Sequence, residues 1–215
     1  MTGRSPSRVR QENSDATDAR ERILDAAFAA FMKTGYAAAS TLEIATRARV
    51  SKRELYALVG NKQEILIECI RVRATRLKVP ADLPVSQDRE TLAQVLTCFG
   101  AQLLREITDP TVVTVFRLAI AEAVRAPEVA HALDSIGREA SRAALRQIMT
   151  QAQTSGLITG RPPDLAEQFG GLLWGNLLVS LLLGVAERPT SREIATRARD
   201  ATAAFLQLHP GSRQS

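Results

Sequence analysis

The densest run of side chains able to do chemistry lies between residues 40 and 62. Ser40, Arg47, Arg49, Ser51, Lys52, Arg53, Tyr56 and Lys62 bring hydroxyl, guanidinium and ammonium groups together there. That is the chemistry of polyanion recognition. A guanidinium forks onto a phosphate or onto O6 and N7 of guanine, while lysines and hydroxyls hold phosphate oxygens. Catalysis is harder to assemble from this chain. It has no GxSxG elbow, GxGxxG turn, Walker loop or HExxH pair. His131 and His209 are its only histidines, which excludes a three-histidine metal site. Cys69 and Cys98 are far apart, with no CxxC, which excludes a cysteine-rich zinc site or a disulfide framework. His131 and Asp134 can share a helix face, but no nucleophile is placed with them. No enzyme activity, metal or cofactor is expected.

The charge map puts this run in a basic setting. The chain has 215 residues and a formal net charge of +5. Residues 1–78 carry 15 Lys+Arg against 9 Asp+Glu, and residues 79–215 carry 13 against 14. A basic first third on a near-neutral remainder points to a polyanion-binding head on a body with a different task. Apolar residues make up 45% and charged residues 24%, as in a globular protein with a sizeable core. Aromatic residues are only 4%, against a heavy load of Ala and Leu, which favours helix over strand.

The elements that must position the basic run announce their own starts. Asp18-x-x-Glu21, Ser40-x-x-Glu43, Ser51-x-x-Glu54 and Asn61-x-x-Glu64 have capping-box spacing, in which each side chain satisfies a backbone N–H left open by the first helical turn. They predict helices over about 19–33, 41–48 and 52–59, and a fourth from Lys62 towards Leu77. Ile23, Leu24, Ala27, Phe28 and Phe31 form the apolar stripe of the first, and Gly35 suits its C-terminal stop. Two short helices joined through Arg49-Val50-Ser51, with Ile44, Ala45, Val50 and Leu55 as apolar contacts, make a helix-turn-helix. Val79–Pro84 reads as a connector. Beyond it, helices are expected over 89–107, from Asp109-Pro110 to about Arg125, briefly from Pro127, over Ser135–Ser155, from Asp164 through the apolar stretch to about 186, and from the Thr190-x-x-Glu193 cap to about Leu208. No strand pattern and no repeat emerges. The fold class is all-α, divided into a disordered basic arm (1–17), a DNA-binding domain (18–66) and a helical domain (67–210).

Residues 20–66 resemble the TetR family of transcriptional regulators. The matching residues are Ile23-Leu24-x-Ala26-Ala27, Phe31, Gly35-Tyr36, Ile44-Ala45, Val50-Ser51-Lys52, Leu55-Tyr56, Lys62 and Leu66. Residues 110–186 look like the ligand-binding and dimerisation half of many such proteins. The chain departs from the pattern at Arg49, where a glycine usually makes the turn, and at Arg53-Glu54, Leu58-Val59 and Ala39. If position 49 needs φ > 0, a non-glycine residue there costs on the order of 1 kcal/mol.

In a helix-turn-helix the second helix enters the major groove with its N-terminal residues at the base edges. Arg53 is the candidate for reading guanine, against the plainer reading of a solvated surface arginine. Glu54 is better explained as a cap than as a base contact. Tyr56, Lys62 and Ser40 are candidate phosphate contacts, with Arg47 and Arg49 adding attraction near the turn. Arg4, Arg8 and Arg10 read either as an arm reaching a minor groove or, at least as well, as a simple disordered tail. The double-stranded operator is expected to be palindromic and bound by a homodimer. Pairing of the apolar helix 164–186 together with 191–208 as a four-helix bundle between two copies, through Gly171, Gly175, Leu178, Leu181 and Leu182, is the expected dimer interface.

Resemblance also implies a small apolar or amphipathic effector entering the middle helices and shifting the fourth. Phe99, Leu103, Phe116, Ile120, Met149 and Trp174 are candidate walls, with Arg117 or His131 supplying polarity, although for each residue taken singly ordinary core packing is the favoured reading. The whole is expected to be cytoplasmic. The alternative is a membrane-anchored interaction protein using 169–186, a stretch of 18 uncharged residues. At 1.5 Å rise that stretch covers about 27 Å, slightly short of a ~30 Å hydrocarbon core.

Overall fold

The computed structural model of the chain describes residues 6–74 and 86–211. Among these the regular structure is entirely helical: α1 (Pro6–Ala38), α2 (Thr41–Ala48), α3 (Lys52–Leu58), α4 (Lys62–Ala74), α5 (Arg89–Ile107), α6 (Pro110–Glu122), α7 (Pro127–Ala132), α8 (Glu139–Thr154), α9 (Pro162–Trp174), α10 (Leu177–Leu183) and α11 (Ser191–Leu208). A π-helical turn, Leu133–Arg138, joins α7 to α8.

The chain forms two compact units. The first takes residues up to Val72 together with Leu118–Leu133, and the second takes Arg73–Arg117 and Asp134–Ser215. In the first unit, Ile23, Ala27 and Phe31 of α1 are buried with Ile44 and Ala45 of α2, Leu55 of α3 and Ile65, Leu66 and Ile70 of α4. These are the positions that helical periodicity assigns to one stripe of each element. Arg22 of α1 donates to the carbonyl of Ala48 at the end of α2, 3.1 Å away, and so ties the two helices where the turn begins.

The second unit is built around α5 and α11. Leu92, Leu96, Phe99 and Leu104 meet Ile194, Ala198 and Phe205, with Leu145 and Met149 of α8 and Phe169 and Leu173 of α9 filling the same core. The Phe169 and Phe205 rings meet edge-on, 5.5 Å apart. Gly100 lets α5 and α9 come close: a Cβ there would lie 3.1 Å from Leu173. Arg89 donates to the carbonyls of Leu206 and His209, closing the C-terminal end of α11, and to that of Leu157.

Several expected boundaries move. Asp18 does not start a helix, because α1 begins at Pro6 and runs through it. Proline at the first helical position is favoured, and nothing between Pro6 and Asp18 breaks a helix, so the expected disordered arm is helical from residue 6. Arg4, the side chains of Arg8 and Arg10, and the connector Val79–Pro84 lie outside the described residues. α1 contains a non-helical Gly35, at φ 81 and ψ 164. The helix expected to begin at Ser135 begins at Glu139, after the π-helical turn. α6 stops at Glu122, whose carbonyl accepts from Arg125 and Ala126.

The single long apolar helix expected over 164–186 is two helices. Gly175, at φ 48 and ψ −128, adopts a backbone conformation closed to L side chains and breaks it. α9 and α10 meet at 53°, and no single helix among the described residues is long and apolar enough to cross a membrane.

Candidate nucleic-acid interface

Three caps set the geometry of the basic run. Ser40 accepts from the Leu42 N–H and starts α2. Ser51 accepts from the Glu54 N–H while the Glu54 carboxylate takes the Ser51 N–H, a complete capping box that starts α3. Asn61 accepts from the N–H groups of Gln63 and Glu64, and Glu64 accepts from Asn61 in return. The turn between α2 and α3 is a Schellman motif: Val50 N–H bonds to Ala45 O and Arg49 N–H to Thr46 O. That motif requires a left-handed residue, and Arg49 supplies it at φ 58 and ψ 44, the only non-glycine positive φ among the described residues.

With the turn fixed, α3 can present only one face inward. Leu55 is fully buried, while Ser51, Lys52, Arg53, Glu54 and Tyr56 are exposed. Lys52 lies with its ammonium 5.9 Å from the centre of the Tyr56 ring. Arg53 makes no hydrogen bond or ion pair with another described residue, so its five donors face outward unused. Arg47 and Arg49 are also exposed. Sequence reasoning missed Leu42, the second residue of α2, which is 61% exposed beside Ser40, Glu43, Thr46 and Arg47 around a shallow depression. An apolar side chain kept in solvent next to a helix cap was its available signal.

Lys62 stands apart from the others. It is half-buried, donates to the Ala37 carbonyl at 2.9 Å and lies 4.7 Å from the centre of the Tyr36 ring. Burial lowers its pKa, and the nearby charge of Glu122 partly opposes that. The Tyr36 phenol is raised, first by burial and then by Glu128 and Glu122. In the first turn of α4, Asn61 already occupies the N–H groups of Gln63 and Glu64, so those two donors are closed to an anion.

The expected effector walls are divided between the two units. Phe99, Leu103 and Met149 are buried in the close-packed core of the second unit, and Trp174 packs against its edge. Phe116 is half-buried and Ile120 is 59% exposed. His131 is exposed, and with Ile120 it belongs to the first unit. Arg117 caps α10, donating to the carbonyls of Leu181 and Leu182. Thr202 in α11 is buried, and its hydroxyl has no partner among the described residues. Of the expected dimer contacts, Gly171 and Gly175 are exposed, Leu178 and Leu182 half-buried, and Leu181 is only 5% exposed within the single chain. A cleft of about 930 Å³ runs between Leu172 and Leu177 on one side and Ile194, Ala201 and Ala204 on the other.

Two capped short helices, a three-residue turn and an outward basic face define a helix-turn-helix DNA-binding protein. Residues 23–69 match the family model described as bacterial regulatory proteins of the TetR family, and residues 94–209 match the model of the AefR-like transcriptional repressor C-terminal domain. The chain belongs to the TetR family of transcriptional regulators. Among solved structures, it is 26% identical to a TetR-family regulator from Mesorhizobium loti, with TM-score 0.77 over 91% of this chain and 98% of that one. A regulator from Agrobacterium tumefaciens is 26% identical, with TM-score 0.75 over 90% and 96%. The flavonoid-responsive regulator FrrA is 27% identical, with TM-score 0.75 over 92% and 98%. No curated protein sequence matches the chain.

Proposed function

We propose that this regulator is a cytoplasmic repressor that binds a palindromic operator as a homodimer and is released by a small apolar or amphipathic effector. The observation that carries the reading is the outward face of α3. Arg53 reads a guanine at the major-groove edge, Lys52 and Tyr56 flank it, and Ser40, Arg47, Arg49 and Lys62 engage phosphates. One such head contacts too few base pairs for specificity, whereas two place their recognition helices about 34–36 Å apart, one turn of the duplex.

The apolar surface of α9 and α10 supports the pairing. Leu172, Val179 and Leu183 are exposed there, and the space beside Gly171 is open, which leaves room for a second backbone. Effector binding belongs to the second unit, where the unpartnered hydroxyl of Thr202 favours a ligand with one hydrogen-bonding group on an apolar body. The likeness to FrrA makes a flavonoid the first probe. For release, the effector must bind the non-DNA-binding state more tightly than the other. The test is genome-wide binding followed by ligand screening on the operator recovered. Binding sites without two-fold symmetry would contradict the dimeric reading.

A further inference from the structure

The outer face of α2 carries one residue of the wrong polarity. Leu42, Glu43, Thr46 and Arg47 recur at helical spacing and are all exposed, opposite the buried Ile44, Ala45 and Ala48. Leu42 is 61% exposed, more than any other large apolar side chain described in α1 to α4. The start of α2 does not need it, since Ala39 and Ile44, the positions that close such a start, are both buried. Its backbone is fixed on both sides. The Leu42 N–H donates to the Ser40 hydroxyl at 3.2 Å, and its carbonyl accepts from the Thr46 hydroxyl at 2.9 Å. Ser40, Glu43, Thr46 and Arg47 surround the side chain in a shallow depression.

What meets this face in a helix-turn-helix is the sugar–phosphate backbone, which the first helix crosses. Along that backbone charged phosphates alternate with uncharged deoxyriboses, whose C–H edges are apolar. Arg47 is exposed and makes no hydrogen bond or ion pair with another described residue, so it supplies a cation for a phosphate. Glu43 lines the same depression, and its carboxylate opposes a phosphate placed directly on Leu42. An uncharged sugar on Leu42, with the neighbouring phosphate on Arg47, fits both charges. We propose that Leu42 is an apolar contact for a deoxyribose of the DNA backbone, giving the head a share of binding that salt does not screen. The inference rests on the DNA-binding reading above and adds the sugar to its phosphate and base contacts. Burying a leucine against a sugar releases no counterions, so its contribution lacks the salt dependence of an arginine on a phosphate. It is also blind to sequence.

The experiment measures the affinity of the full chain for two duplexes of about 30 base pairs, one of A·T pairs and one of G·C pairs, over a salt series. Leu42→Ala is expected to weaken binding to both by roughly three- to tenfold at every salt concentration, with the salt slope of the parent. The loss should follow the size of the apolar side chain, with Leu42→Met near the parent and Leu42→Val between Met and Ala. Melting curves establish that each variant is folded, and Leu42→Val carries the same test if Leu42→Ala is not. Unchanged binding by a folded variant overturns the inference. So does a loss accompanied by a salt slope shallower by about 0.9, which would make the contact a phosphate. A loss confined to the A·T duplex overturns it too, in favour of a thymine methyl group. Failure of the parent to bind either duplex is a different result and would contradict DNA binding itself.

Discussion

Arg49 shows how one side chain can work against the fold that carries it. The Schellman turn needs a left-handed residue, and arginine accepts φ 58 at a cost on the order of 1 kcal/mol relative to glycine. Arg49→Gly is therefore expected to raise the melting temperature while weakening all duplexes to a similar degree, as loss of a phosphate contact should. A thermal melt and a salt series on two unrelated duplexes check both halves. Arg53 should behave differently. Arg53→Ala is expected to relax preference at one base pair by about 1–3 kcal/mol, with little change in nonspecific affinity. The strain at Arg49 was legible only through the family resemblance, in which a glycine usually makes the turn at that position. The destination of Lys62 was not, since its acceptor is a backbone carbonyl 25 residues earlier in the chain.

At the scale of elements, local chemistry was read well where a cap is reciprocal and poorly where a helix runs through. The boxes at Ser51–Glu54, Asn61–Glu64 and Thr190–Glu193 all form. The one at Ser40–Glu43 forms only as a single cap, Ser40 accepting from the Leu42 N–H, and the one at Asp18–Glu21 does not form, because spacing marks a start only if the residues before it cannot be helical. A further box, Asp88 with Thr91, escaped notice because its fourth residue is a threonine rather than a glutamate. The break at Gly175 was hidden too: a glycine four residues after another reads as a packing motif until its φ is known. The caps of α5 and α11 also set an acid sensitivity. Hydrogen bonds from Thr91 hold the Asp88 carboxyl below its ordinary pKa, and those from Thr190 do the same for Glu193. Carboxylates with depressed pKa stabilise the fold above their unfolded values and lose that contribution as pH falls through the folded ones. Stability is therefore expected to drop below the ordinary carboxylate range, and Asp88→Asn with Glu193→Gln should flatten that drop in an acid denaturation curve. An unchanged acid limb would contradict it.

For the whole molecule, the first compact unit runs to Val72, past the boundary expected near residue 66. The head also takes in Leu118–Leu133, a segment of ordinary amphipathic helix that composition does not distinguish from its neighbours. The apolar surface of α10 gives the assembly prediction. Val179→Glu with Leu183→Glu puts charges on two exposed apolar positions, so it should leave the fold intact and shift the protein to monomers in sedimentation, with loss of specific but not nonspecific DNA binding. The most direct measurement of the central claim is selection of tight-binding duplexes from a randomised pool by the purified protein, repeated with Arg53→Ala. An inverted repeat whose half-sites lie one helical turn apart is expected, with a guanine that loses its enrichment in the variant. Recovery of no preferred sequence, or of the same sequence with undiminished preference by Arg53→Ala, would contradict it.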